Sequence, residues 1–89
     1  MKSYFDLEVW KQSRSLVKQI YIITSQFPDS EKFGLINQMR RSAVSVPSNI
    51  AEGSGRNTSK YSLQFFFIAR GSAYELETQL DISYDLKKH

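Results

Sequence analysis

The sequence predicts an all-α fold, an antiparallel up-down helical bundle, on three observations. Apolar residues recur at steps of three and four, the period of a helix with one buried face, rather than alternating as in a strand. Only two prolines, at 28 and 47, and four glycines, at 34, 53, 55 and 71, punctuate the 89 residues. The three windows between these breaks are long and joined by short connections, which favours antiparallel neighbours.

The first helix is expected over residues 6–26. Leu7, Trp10, Val17, Ile20, Tyr21 and Phe27 form its apolar stripe, widened by Val9, Leu16 and Ile23. Ser3 followed by Asp6 is its start signal, because a side-chain oxygen accepts from the orphan amides of a first turn. Pro28-Asp29-Ser30 ends this helix and supplies caps for the next.

The second helix is expected over residues 31–53, with Phe33, Ile36, Met39, Ala43, Val46 and Ile50 as its stripe. Pro47 lies well inside. It offers no amide to the Ala43 carbonyl and crowds that turn, so a kink is expected, or two shorter helices broken at Val46. Ser45, Ser48 and Asn49 are placed to satisfy the freed backbone groups. Gly53-Ser54-Gly55 terminates the element.

The third helix is expected over residues 58–87, capped by Thr58 or Ser59. Leu63, Ala69, Ala73, Leu76, Leu80 and Ile82 continue a core-facing stripe. Phe65-Phe66-Phe67-Ile68 is apolar around its whole circumference, which implies burial on more than one side. Gly71 in mid-helix costs about 1 kcal/mol relative to alanine. Close approach of another backbone would account for it. The helix offers more apolar surface than two neighbours cover, which asks for a fourth helix from another subunit or from sequence beyond residue 89.

A chain this short makes one domain, residues 1–89, with a marginal core that needs help. There is no cysteine, and the one histidine is His89, so disulfides are excluded and a Cys/His metal site is disfavoured. Self-association is the remaining aid. No apolar run approaches a membrane span of about 20 residues. The N-terminal residues carry acids where a signal peptide would be apolar, so a cytoplasmic protein is expected.

Net charge is +3, and it is concentrated. Residues 32–70 carry Lys32, Arg40, Arg41, Arg56, Lys60 and Arg70 against Glu52 alone, while residues 71–89 are net acidic. That pattern suits a polyanion partner as well as an ordinary solvated face. Arg40 and Arg41 diverge by about 100° on a helix. Either they grip phosphate oxygens with their planar donor forks, or one pairs with Glu52 or Glu75 inside the bundle. Arg56, Lys60 and Arg70, with Arg14 and Lys18, are candidates for a basic stripe at one end. Tyr61 and Tyr74 lie among them and suit base stacking on RNA or single-stranded nucleic acid.

A carboxylate near a helix C-terminus is unfavourable, so Glu52 is expected to have a cationic partner, Arg56 or Arg40. Ser15-Leu-Val-Lys18 matches an acyl-transferase S-x-x-K without its companion motifs, and Asn57-Thr-Ser59 is a sequon irrelevant without secretion. No catalytic set, metal cluster or cofactor motif is legible. The expectation is a non-enzymatic protein.

Five blocks occur in order: Phe5-Asp-Leu-Glu-Val-Trp-Lys11, Phe33-Gly-Leu35, Gln38-Met-Arg-Arg41, Val46-Pro-Ser-Asn-Ile-Ala-Glu-Gly53 and Glu75-Leu-Glu-Thr-Gln79. Together they resemble the small bacterial four-helix-bundle proteins encoded in intervening sequences of 23S ribosomal RNA genes. That family is similar to the accessory variability protein of diversity-generating retroelements. The resemblance implies a cytoplasmic four-helix bundle forming a homopentamer, with the fourth helix truncated or missing here. For the retroelement relatives it also implies a basic surface that binds nucleic acid and docks a reverse transcriptase. Pro47, Ser48, Asn49, Glu52 and Gly53 match the signature block, whose expected duty is packing.

Overall fold

The computed structural model describes residues 3–31, 34–56 and 58–87. A 3-10 turn at Ser3–Asp6 leads into α1, Glu8–Thr24. A second short turn, Asp29–Glu31, precedes α2, Leu35–Ser54, and α3 runs Ser59–Lys87. Among the described residues there is no strand. The all-α prediction holds, and the helix boundaries move by up to four residues.

Those shifts have local causes. Ser3 and Asp6 are taken up in the 3-10 turn, and Leu7, extended and without a side-chain oxygen, stands at the head of α1. Asp29 and Ser30 likewise form their own turn rather than capping α2, which follows Gly34. Phe33, assigned to the α2 stripe, lies outside the described residues. Thr58 does cap α3: its Oγ1 accepts from the Tyr61 amide at 3.5 Å and its carbonyl from the Ser62 amide at 3.1 Å.

α2 is the centre of the molecule. Ile36, Met39, Ala43, Val46 and Ile50 are all buried, as their spacing predicts. α1 and α3 each pack on α2, but among the described residues no Cα of α1 comes within 8 Å of α3. Ile20 from α1 and Leu76 from α3 meet Met39 and Ala43 in one cluster, while Val46, Ile50 and Ala69 make a second beside Trp10. The radius of gyration is 14.5 Å and the long axis 48 Å. A compact chain of this length would have a radius near 12 Å. The 29-residue α3, about 43 Å long at 1.5 Å per residue, sets the excess.

The α2 helix runs unbroken through the buried Pro47, so the alternative of two helices broken at Val46 is not realised. Ser48 Oγ donates to the Val44 carbonyl at 2.8 Å, and Asn49 Nδ2 to the Ser45 carbonyl at 2.8 Å. These side chains do turn back on the helix, onto the carbonyls that follow Ala43 rather than that of Ala43 itself.

The glycines divide. A Cβ on Gly53 would sit 2.7 Å from Phe66 Cε1 and 3.0 Å from the Ser62 carbonyl oxygen. Ser62 Oγ donates to the Gly53 carbonyl at 2.8 Å, so two backbones touch here. At Gly71 the expected close approach is absent: nothing lies within 4 Å of its Cβ position. Ser72 to Ser45, at 2.8 Å, and Ser42 to Glu75 complete the polar seam between α2 and α3.

Burial on α3 is where expectation fails most. Leu63 and Ile82, assigned to the core stripe, are exposed, and so are Phe66, Phe67 and Ile68. α2 covers only one side of that helix. Gly53→Ala is expected to lower stability by about 1–3 kcal/mol through overpacking, or several degrees in thermal midpoint for a chain this size. Circular dichroism melts check this; an unchanged midpoint contradicts the contact.

Candidate nucleic-acid interface

The basic side chains are best understood from the rings beneath them. On α1, Arg14 lies over Trp10, 4.9 Å from the ring centroid, one turn back on the same helix. Arg56 lies 4.7 Å over Phe65, and Arg70 5.0 Å over Phe67. Arg40 crosses between helices and sits 4.5 Å over Tyr21. A guanidinium resting over a ring loses less side-chain freedom when it meets a phosphate.

Arg40 is spoken for. Its Nε donates to Thr24 Oγ1 at 2.9 Å, and that buried hydroxyl in turn donates to the Ile20 carbonyl at 2.7 Å. Its Nη2 reaches the Tyr21 carbonyl at 3.5 Å. Of the two readings of the paired arginines, the internal one describes Arg40, with a hydroxyl as its partner instead of Glu52 or Glu75. Arg41, about 100° around the helix, is exposed with no hydrogen bond or ion pair among the described residues.

Glu52 pairs with Arg56 at 2.5 Å, as its place near the end of α2 predicts. Both are largely exposed, so the pair contributes at most about 1 kcal/mol. Arg14, Lys18, Lys60 and Arg70 have no carboxylate partner among the described residues.

The expected single stripe is divided along the bundle. Arg56 and Lys60 flank the α2–α3 turn, at the end where Ile50 faces Leu7 and Val9. Arg40 and Arg41 sit near the opposite end, beside the last turns of α1. The rise along α2 from Arg40 to Ser54 is about 21 Å. Lys11, Arg14 and Lys18 share one face of α1, by their spacing of three and four. Lys11 was overlooked by sequence reasoning, although that spacing was there to see.

Of the signature block, Pro47 and Gly53 are buried, Ser48 and Asn49 bond to their own helix, and Glu52 holds Arg56. Pro47 and Gly53 pack inside the bundle, while Ser48 and Glu52 stay exposed.

A sequence model of the 23S rRNA-intervening sequence protein family matches residues 5–88. The chain belongs to that family. No curated protein matches it.

This intervening-sequence protein carries one further feature. An open apolar groove of about 470 Å³ runs between α1 and α3, with Leu7 and Val9 on one wall, Val46 and Ile50 as its floor, and Phe66 and Arg70 on the other wall. It lies where the backbones of α1 and α3, among the described residues, stay more than 8 Å apart. Among the described residues no cluster of three or more His, Cys, Asp or Glu side chains could hold a metal. No described helix is long and apolar enough to cross a membrane.

Arg40→Met is expected to destabilise the fold by about 1–2 kcal/mol, since it strips a hydrogen bond from a buried hydroxyl. Arg41→Ala should change stability by less than about 0.5 kcal/mol. Urea titration separates the two; equal effects contradict the assignment.

Proposed function

We propose that this protein is a non-enzymatic, self-associating helical scaffold of the cytoplasm that binds RNA through phosphate contacts. The observation that carries the reading is uncompensated charge. Of the seven candidate cations, only Arg56 faces a carboxylate within ion-pair distance among the described residues. Arg14 and Lys18, with Lys11, line one face of α1, and Arg41 stands on α2. Arg14 is already oriented by its ring. Such a set neutralises phosphates and reads little sequence.

The apolar surface supports the self-association. The groove between α1 and α3, and the exposed Leu63, Phe67 and Tyr74, leave large apolar side chains open, the kind of surface that marks an interaction site. A second reading, docking of another protein such as a reverse transcriptase, is favoured by that same groove. It would use no RNA.

Fluorescence anisotropy with a single-stranded RNA oligonucleotide at several salt concentrations tests the proposal. For about four phosphate contacts, the log–log slope of affinity against salt is expected near −3. Lys18→Glu with Arg41→Glu should flatten the slope by about 0.7 per lost contact. A slope near zero in the unaltered protein contradicts RNA binding by this route and leaves the docking reading.

A further inference from the structure

We infer that the RNA this protein takes is double-stranded, and that it lies along the α1–α2 face turned away from the apolar groove. The inference rests on the RNA reading above and adds the class of RNA and the face that holds it.

Helical geometry sets the face. Val9 and Ile50 line the groove. Lys18 comes nine residues after Val9 on α1, and Arg41 nine before Ile50 on α2, so each stands about 180° around its helix from the groove. Arg14 is turned about 140° from Val9 by the same count. Arg40 crosses from α2 to Tyr21 and Thr24 on this same flank. No Asp or Glu interrupts residues 9–24 or 35–51, so the face is purely cationic.

The face is also fixed in shape. Lys11 and Thr24 are about 20 Å apart along α1 at 1.5 Å per residue, and Arg40 ties Thr24 to α2. Lys11, Arg14, Lys18 and Arg41 remain for phosphate, since Arg40 holds the two helices together. Cations set on two packed helices meet the fixed phosphates of a duplex with little further ordering. A single strand must be ordered to match them.

Single strands offset that ordering by stacking bases on bare rings. On this flank the rings already carry guanidinium groups. Arg14 lies 4.9 Å over Trp10, which Phe5 also stacks against at 5.1 Å, and Arg40 lies 4.5 Å over Tyr21. The open tyrosines, Tyr61 and Tyr74, stand on α3, whose backbone stays more than 8 Å from α1 among the described residues. Glu77 and Asp81 follow Tyr74 by three and seven residues, on its own face, where they repel phosphate. The acid-free cations and the open tyrosines therefore belong to different faces.

The test compares an RNA duplex of about 16 base pairs with one of its strands, against the full chain, by fluorescence anisotropy at several salt concentrations. The duplex is expected to bind about tenfold tighter, with a log–log salt slope near −3.6 from about four contacts. Lys18→Glu with Arg41→Glu, both exposed positions, should remove most of that preference while circular dichroism shows unchanged helix content. If that pair alters helix content, Lys18→Gln with Arg41→Gln takes its place, with a smaller loss in the same direction. A single strand bound as tightly as the duplex overturns this inference and leaves RNA binding standing. So does a duplex preference that survives the double substitution, or one that falls further in Tyr74→Ala. Absence of salt-dependent binding to either RNA overturns both.

Discussion

Met39 and Ala43 are fully enclosed, and everything else is arranged around the stripe they belong to. α2 presents one apolar line and shares it between two neighbours whose backbones, among the described residues, stay more than 8 Å apart. Ile20 reaches it from α1, and Leu76 and Ala69 from α3. Because a single stripe is divided this way, each outer helix has one covered side. The remainder of its apolar surface is open, which is why the groove forms and why α3 displays aromatic residues outward.

The polar contacts follow the same division. Between α2 and α3 the fit is close enough that Gly53 admits no Cβ, and serine hydroxyls stitch the seam. Between α1 and α2 the tie is Arg40, set over the Tyr21 ring and bonded to Thr24. One arginine is therefore a strut. Others are surface charges held in place by rings, and this difference in duty decides which cations remain available to a phosphate.

Much of this was legible in the residues. The three helices, the α2 stripe, the stop at Gly53-Ser54-Gly55 and the Glu52–Arg56 pair all follow from short-range spacing. Helix starts were less legible, because Ser3, Asp6, Asp29 and Ser30 serve 3-10 turns of their own. Arg40's partner could not be read, since Thr24 lies sixteen residues away on another helix. Leu63 and Ile82 fit a core pattern by period alone. Their exposure reflects that, among the described residues, α3 packs closely on α2 alone, which periodicity does not encode. For the candidate site, the residue types were visible, whereas their separation to the two ends of α2 depends on the helix packing.

The central proposal is that other copies close the open apolar surface of α3 and of the groove, which would link folding to association. The thermal midpoint measured across a hundredfold range of protein concentration tests it most directly, because binding between folded chains stabilises them by mass action. The account predicts a midpoint that climbs steadily with concentration. A midpoint that stays constant over that range, with one cooperative transition, would contradict it.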